Sequence, residues 1–312
     1  MPPGENENQH VSVLLEETLR WLAPKAGATI VDATLGLGGH SRAILESDPT
    51  VNVIGIDQDP QAIAIATERL AGFADRITVV RANFGDLKRV VKQPVDGIIA
   101  DLGVSSLQFD SPERGFSFRF DAPLDMRMDP DSDDETAAEL LARLSEAEIA
   151  DLIYKLGEER QSRRVARRIV WKREIGEPVT TTLELAETVE KAIGRKPNDK
   201  IHPATRTFQA LRIAVNRELE VLEQFLTDAI DLLKNDGRLT VITFHSLEDR
   251  IVKQAFLKYS GRCACPPRLP QCICGAERTV EILTRKPVVP GDIEVAENPR
   301  ARSAKLRVCK KL

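Results

Sequence analysis

Three acids, Asp32, Asp57 and Asp101, each close a short apolar run, and carboxylates placed at strand ends can take hydrogen bonds from a ligand or offset its positive charge. Around the first, Thr29-Ile30-Val31-Asp32-Ala33-Thr34-Leu35-Gly36-Leu37-Gly38-Gly39-His40 reads as a strand, a tight turn and a helix start. Glycine there permits positive φ and removes the Cβ that would hold a ligand away. Glycines that serve packing alone are the alternative. A third glycine at position 41 would complete a dinucleotide fingerprint, but Ser41 stands there; Gly39 is followed by His40 and not by Lys, so no P-loop is present. An acid seven positions before Gly39 suits a ligand with a small zwitterionic head, and S-adenosylmethionine is the commonest on such a turn.

Asp57 lies about 20 residues beyond the glycine turn, where a carboxylate of a doubly wound sheet faces ribose hydroxyls. Helix capping is the competing role, and Asp59 with Pro60 fills it equally well. Phe84 follows a third strand (Ile77 to Val80) and is either a cover for an adenine face or one more core aromatic. Asp101 ends a fourth strand, at the edge where the acceptor would meet a methyl donor.

The elements that position these residues are an α/β alternation, which predicts a parallel sheet. A helix is expected from His10 onward, with Leu14, Leu15, Thr18, Leu19 and Leu22 on its apolar face. The next clear strand after Asp101 is Gly237–Phe244, too far for one crossover helix, so a segment is inserted. It opens with a loop carrying Phe109, Phe116, Phe118 and Phe120. Helices are expected over 135–144, 145–156, 159–172 and 181–193, and a long helix from Pro203 through Leu233. The stretch from Arg160 to Arg173 is the most basic; Val165, Ala166, Ile169 and Val170 form its buried side, and its arginines are either a solvated face or, since acids are nearly absent there, a surface for phosphates. Ser246 reads as a helix cap with Asp249 three on. Two closing strands, 279–284 and 304–309, suit antiparallel pairing at the sheet's far edge.

The chain has 312 residues, is 42% hydrophobic and 29% charged, and carries a net charge of −4, enough for a real core and too acidic overall to signal nucleic acid by itself. The opening residues lack a signal-peptide pattern and no apolar run reaches membrane-spanning length, so a cytoplasmic protein without membrane contact is expected. Five cysteines make no disulfide framework. Cys263, Cys265, Cys272 and Cys274 have C-x-C spacing, poor for zinc, so a reduced loop and no metal are expected.

Six blocks in order — His10 to Leu14, Asp32 to Ser41, Asp101 to Ser106, Arg206 to Glu218, Thr243 to Arg250 and Asn298 to Leu306 — closely resemble the RsmH (MraW) family. These are bacterial 16S ribosomal RNA cytosine-N(4)-methyltransferases. The resemblance implies a class I (Rossmann-like) S-adenosylmethionine-dependent methyltransferase core with an inserted all-helical domain. The expected boundaries are 1–108 and 203–312 for the core and 109–202 for a substrate-recognition insert. It also implies methylation of a cytidine in the decoding (P-site) region of 16S rRNA, with the small ribosomal subunit as partner and room for a homodimer; that base must be unstacked, and the phenylalanine loop is then a candidate clamp for it. Gly38, Gly39, His40, Asp57, Phe84, Asp101 and Gln108 fall at cofactor-contacting positions, without departure at any of them. The Asp/Asn-Pro-Pro-Tyr motif of other amino-methyltransferases is missing; Asp101-Leu102-Gly103-Val104 stands in its place. Asp101 is therefore the candidate catalytic acceptor, or a cofactor ligand alone.

Overall fold

A computed structural model describes residues 12–195, 201–263, 265 and 277–312. It divides into two compact units, Met1–Gly103 with Glu220–Leu312, and Val104–Leu219.

The first unit is built on seven strands: β1 (Thr29–Asp32), β2 (Asn52–Asp57), β3 (Ile77–Arg81), β4 (Val95–Asp101), β5 (Leu233–Thr243), β6 (Val280–Ile282) and β7 (Lys305–Lys311). Their order across the sheet is β3-β2-β1-β4-β5-β7-β6. The first five are parallel, and β7 runs antiparallel to β5 and β6. Their apolar runs are near-continuous because helices cover the sheet: Ile98, Ile99 and Ala100 are wholly buried in β4, as are Val241 and Ile242 in β5. Phe225 and Phe256 fill one side of this core, and burying each such ring contributes roughly 2–3 kcal/mol. Asp59 caps the Pro60–Arg69 helix by accepting from the Gln61 amide at 3.0 Å, with Pro60 in the first turn, as its residue types dictate.

The first helix spans only Leu15–Leu22. Leu14 is left-handed (φ 53°), and its amide donates to Glu294 Oε1 at 2.7 Å. That tie to a residue 280 positions away breaks the helix expected from further upstream; His10 and Val11 lie outside the described residues. β5 starts at Leu233, earlier than expected, with a shift in its register to β4 between Val95 and Gly97.

The second unit is helical. Its helices Ala137–Arg143, Glu146–Gly157 and Thr182–Ile193 each open on a capping box: Thr136 with Glu139, Ser145 with Glu148, Thr181 with Glu184. The basic helix, Ser162–Glu174, buries Val165, Ala166, Ile169 and Val170 and leaves Arg163, Arg164 and Arg167 exposed. Arg160 precedes it. The long helix expected over 203–233 is two, Thr205–Val215 and Glu218–Leu232. Between them Asn216 donates to the Met126 and Arg212 carbonyls and accepts from the Met128 amide, and Arg217 turns left-handed (φ 50°). Phe208 and Leu211 pack in the core of the helical unit. The units therefore part at Gly103/Val104 and Leu219/Glu220, where the sequence suggested 108/109 and 202/203.

Candidate active site

In the sheet order, β2, β1, β4 and β5 are neighbours, so parallel pairing sets Asp57, Asp32, Asp101 and the segment after Thr243 along one edge. That edge is where ligands bind in open α/β sheets.

Both Asp57 oxygens are engaged. Oδ2 accepts from the Gly36 amide at 2.7 Å and Oδ1 from the Asp59 amide at 2.9 Å. One side chain thus pins the glycine turn to the entry of the next helix. Burial pushes its pKa up, and these amide donors pull it back. Gly36 and Gly38 have φ of 51° and 81°, a conformation that favours glycine. Gly38 caps the Gly39–Ser47 helix without a side chain. A Cβ on Gly39 would stand 2.0 Å from Ser12 Oγ, so close approach of that side chain is one reason for the glycine.

Asp32 is buried; it accepts from Ser41 Oγ at 2.7 Å and from the Thr34 amide at 3.3 Å. Burial raises its pKa to about 6. Thr34 also turns toward β4, its hydroxyl accepting from the Asp101 amide at 2.6 Å.

Asp101 differs from both. A quarter of its side chain reaches solvent, yet Oδ1 is enclosed with no hydrogen-bond donor among the described residues. Oδ2 lies 3.8 Å from His40 Nδ1, and His40 Nε2 sits 3.1 Å from the Val13 carbonyl. Burial first, then the charges of Asp32 and Glu248, push the Asp101 pKa well above the carboxylate range.

Sequence reasoning missed Glu248. It is buried and accepts from the Phe244 and His245 amides at 2.8 and 3.2 Å. His245, not Ser246, caps the Ser246–Tyr259 helix, with Glu248 three residues on. Asp249, the acid expected in that role, binds Arg307 at 2.6 Å instead. A cap one residue earlier was the available signal.

The MraW methylase family matches residues 7–312. The chain belongs to that family. Ribosomal RNA small subunit methyltransferase H of Trichlorobacter lovleyi is 51% identical over 98% of this chain and 99% of its own, and its namesake in Geobacter sulfurreducens is 52% identical over 97% and 99%. A putative methyltransferase of Streptococcus mutans, solved with SAH, is 11% identical at a TM-score of 0.44 and covers 97% of this chain and 99% of its own. As a MraW methylase the chain uses S-adenosylmethionine. The site fits that group: Asp32, Asp101 and Glu248 make an acidic basin that favours a cation, and Asp101 Oδ1 awaits a donor.

The other candidates of this MraW chain divide between the units. Gly38, Gly39, His40, Asp57 and Asp101 gather at the tips of β1, β2 and β4. Phe84 lies beyond β3, half-buried, its ring edge-on to Phe225 at 5.3 Å. Gln108 belongs to the helical unit, buried, its Oε1 accepting from the Ser105 amide at 3.0 Å in a capping box. Of the loop phenylalanines, Phe116 is core, Phe109 packs against it, and Phe118 stacks on His202 and Phe208 at 4.8 and 4.9 Å. Only Phe120 is exposed, so three of the four expected to clamp a base build the unit's own core. Cys272 and Cys274 lie outside the described residues; Cys263 Sγ accepts from the Cys265 amide at 3.4 Å.

Proposed function

We propose that this chain methylates the exocyclic N(4) amine of a cytidine in the decoding (P-site) region of 16S rRNA, within the small ribosomal subunit. Bacterial cytoplasm follows from that substrate. The names of the half-identical relatives support ribosomal RNA as the target class. The observation that carries the chemistry is the donor-less Oδ1 of Asp101 in its acidic basin.

In this reading Gly38, Gly39, His40, Asp57, Phe84, Asp101 and Gln108 contact the cofactor, and Asp101 also serves the reaction. S-adenosylmethionine, when bound, supplies an electrophilic methyl on a sulfonium. The chain must then hold the amine in line and raise its nucleophilicity. The amine lone pair is delocalised into the cytosine ring. Asp101 accepts an amine hydrogen and offsets the charge that grows on nitrogen. Only the ionised carboxylate can do both. Because its surroundings hold that proton tightly, methyl transfer rises with pH as Asp101 loses it. Unit 104–219 holds the RNA, with exposed Arg163, Arg164 and Arg167 against phosphates and Phe120 free to meet a base.

Incubating immature small subunits with methyl-labelled cofactor, then digesting the RNA, tests this. Label in N(4)-methylcytidine from one decoding-region position is expected. Label in any other nucleoside, or none, overturns it. An Asp101→Asn protein with unchanged cofactor affinity and full rate removes both roles of Asp101.

A further inference from the structure

The sheet's antiparallel edge carries a feature that methyl transfer does not use. Between β6–β7 and the second half of the Ser246–Tyr259 helix lies a groove of about 560 Å³. Lys253, Arg262, Arg278 and Arg285 line it, all exposed, and none forms an ion pair with a described residue. The groove's other charges are satisfied. Arg307 is buried and bound by two nitrogens to Asp249 at 2.6 and 3.2 Å, and Glu281 pairs with Lys310 at 3.3 Å. Four uncompensated cations thus share one concavity in a chain whose net charge is −4. The backbone holds them there: the Thr279 amide donates to the Tyr259 carbonyl at 2.8 Å, and Ser260 bridges Arg278. Cations within a Debye length of about 10 Å repel one another at ordinary salt, and a polyanion relieves that repulsion.

We propose that this groove binds the phosphate backbone of the substrate RNA, on nucleotides flanking the one that is methylated. The inference rests on the RNA substrate proposed above. Distance supports flanking contact: the helix begins beside the site at His245, and at about 1.5 Å per residue Lys253 stands roughly 10 Å along it and its last residue, Tyr259, roughly 20 Å. A target base at the tip of β4 cannot reach so far, but the strand continuing from it can.

The test uses the full chain, a fluorescein-labelled hairpin of the decoding region, and anisotropy between 50 and 200 mM salt. Lys253→Ala combined with Arg278→Ala is compared with Arg69→Ala, which removes a like charge from the helix joining β2 to β3 at the sheet's opposite side. Each lost phosphate contact flattens the log–log salt dependence by about 0.7–0.9. The double variant should flatten it by about 1.4–1.8 and lose about tenfold or more in affinity at 0.1 M salt. Cofactor affinity by calorimetry should stay unchanged, and Lys253→Arg with Arg278→Lys should keep RNA affinity. A double variant matching Arg69→Ala in slope and affinity overturns the groove. If the wild type labels no nucleoside in subunits while the double variant still flattens the slope, the proposed reaction fails and the groove stands.

Discussion

The tips of β2 and β4 carry the same residue in the same topological place and treat it in opposite ways. Asp57 spends both oxygens on backbone amides and so fastens a turn to a helix. Asp101 leaves one oxygen enclosed without a donor among the described residues and sits among other acids. An unsatisfied buried acceptor costs about 1–3 kcal/mol, a cost without structural return. The difference teaches that one carboxylate is already tied into the fold, whatever it also offers the cofactor, while the other waits for a ligand.

Breaking the β4 side should have the largest effect. Asp101→Ala is expected to lower methyl transfer by roughly 10²–10³-fold, the usual loss when a group aimed at developing charge is removed. Its melting temperature should hold or rise, which calorimetric scanning checks beside single-turnover rates. If stability falls with the rate, the contrast with Asp57 is lost.

Asp32, between the two, sharpens the comparison through pH. Its folded pKa, about 6, lies above the unfolded value, so the folded state holds the extra proton. Its contribution is fully present below about pH 4 and is lost as pH rises to about 6, up to ~3 kcal/mol. Urea denaturation across that window should show wild-type stability falling relative to Asp32→Asn; parallel curves would mean that Asp32 does not titrate there.

Asp57→Ala should destabilise by about 2 kcal/mol, because two backbone amides lose their acceptor. Cofactor affinity should drop with it because the turn loosens. Urea midpoints and calorimetry separate the two losses, and a purely functional loss would erase the assignment of Asp57 to the fold. Smallest is Gly39→Ala, about 1–2 kcal/mol from the clash with Ser12 Oγ. Adding Ser12→Gly should recover most of it; failure to recover would mean that the Ser12 contact is not the cause.

Much of the core was legible because local chemistry and long-range topology agree there. Asp59 with Pro60, and Ser145 with Glu148, cap helices as their types require. The acid-ended strands pair in parallel, as their alternation with helices implied, with the antiparallel edge last. What stayed hidden depends on distant partners. Asn216 breaks a helix by bonding residues 88 and 90 positions earlier, a cue absent from its neighbours. Glu248 looks like a surface helix acid until its own backbone buries it. The loop phenylalanines resemble a base clamp, and only burial shows three of them to be structural. The donor-less state of Asp101 Oδ1 is likewise a property of the packed site and no property of sequence.

The pairing of β4 with β5 carries a consequence for synthesis. Asp101 ends one strand and Leu233 begins its neighbour, so 131 residues must be made between them. At about 5–20 residues per second the nascent β4 waits roughly 7–26 s with one edge bare. Ile98, Ile99 and Ala100 make that edge a template for stray strands. A slow stretch of translation over residues 104–219 would therefore favour aggregation over maturation, and chaperone demand should peak in that interval.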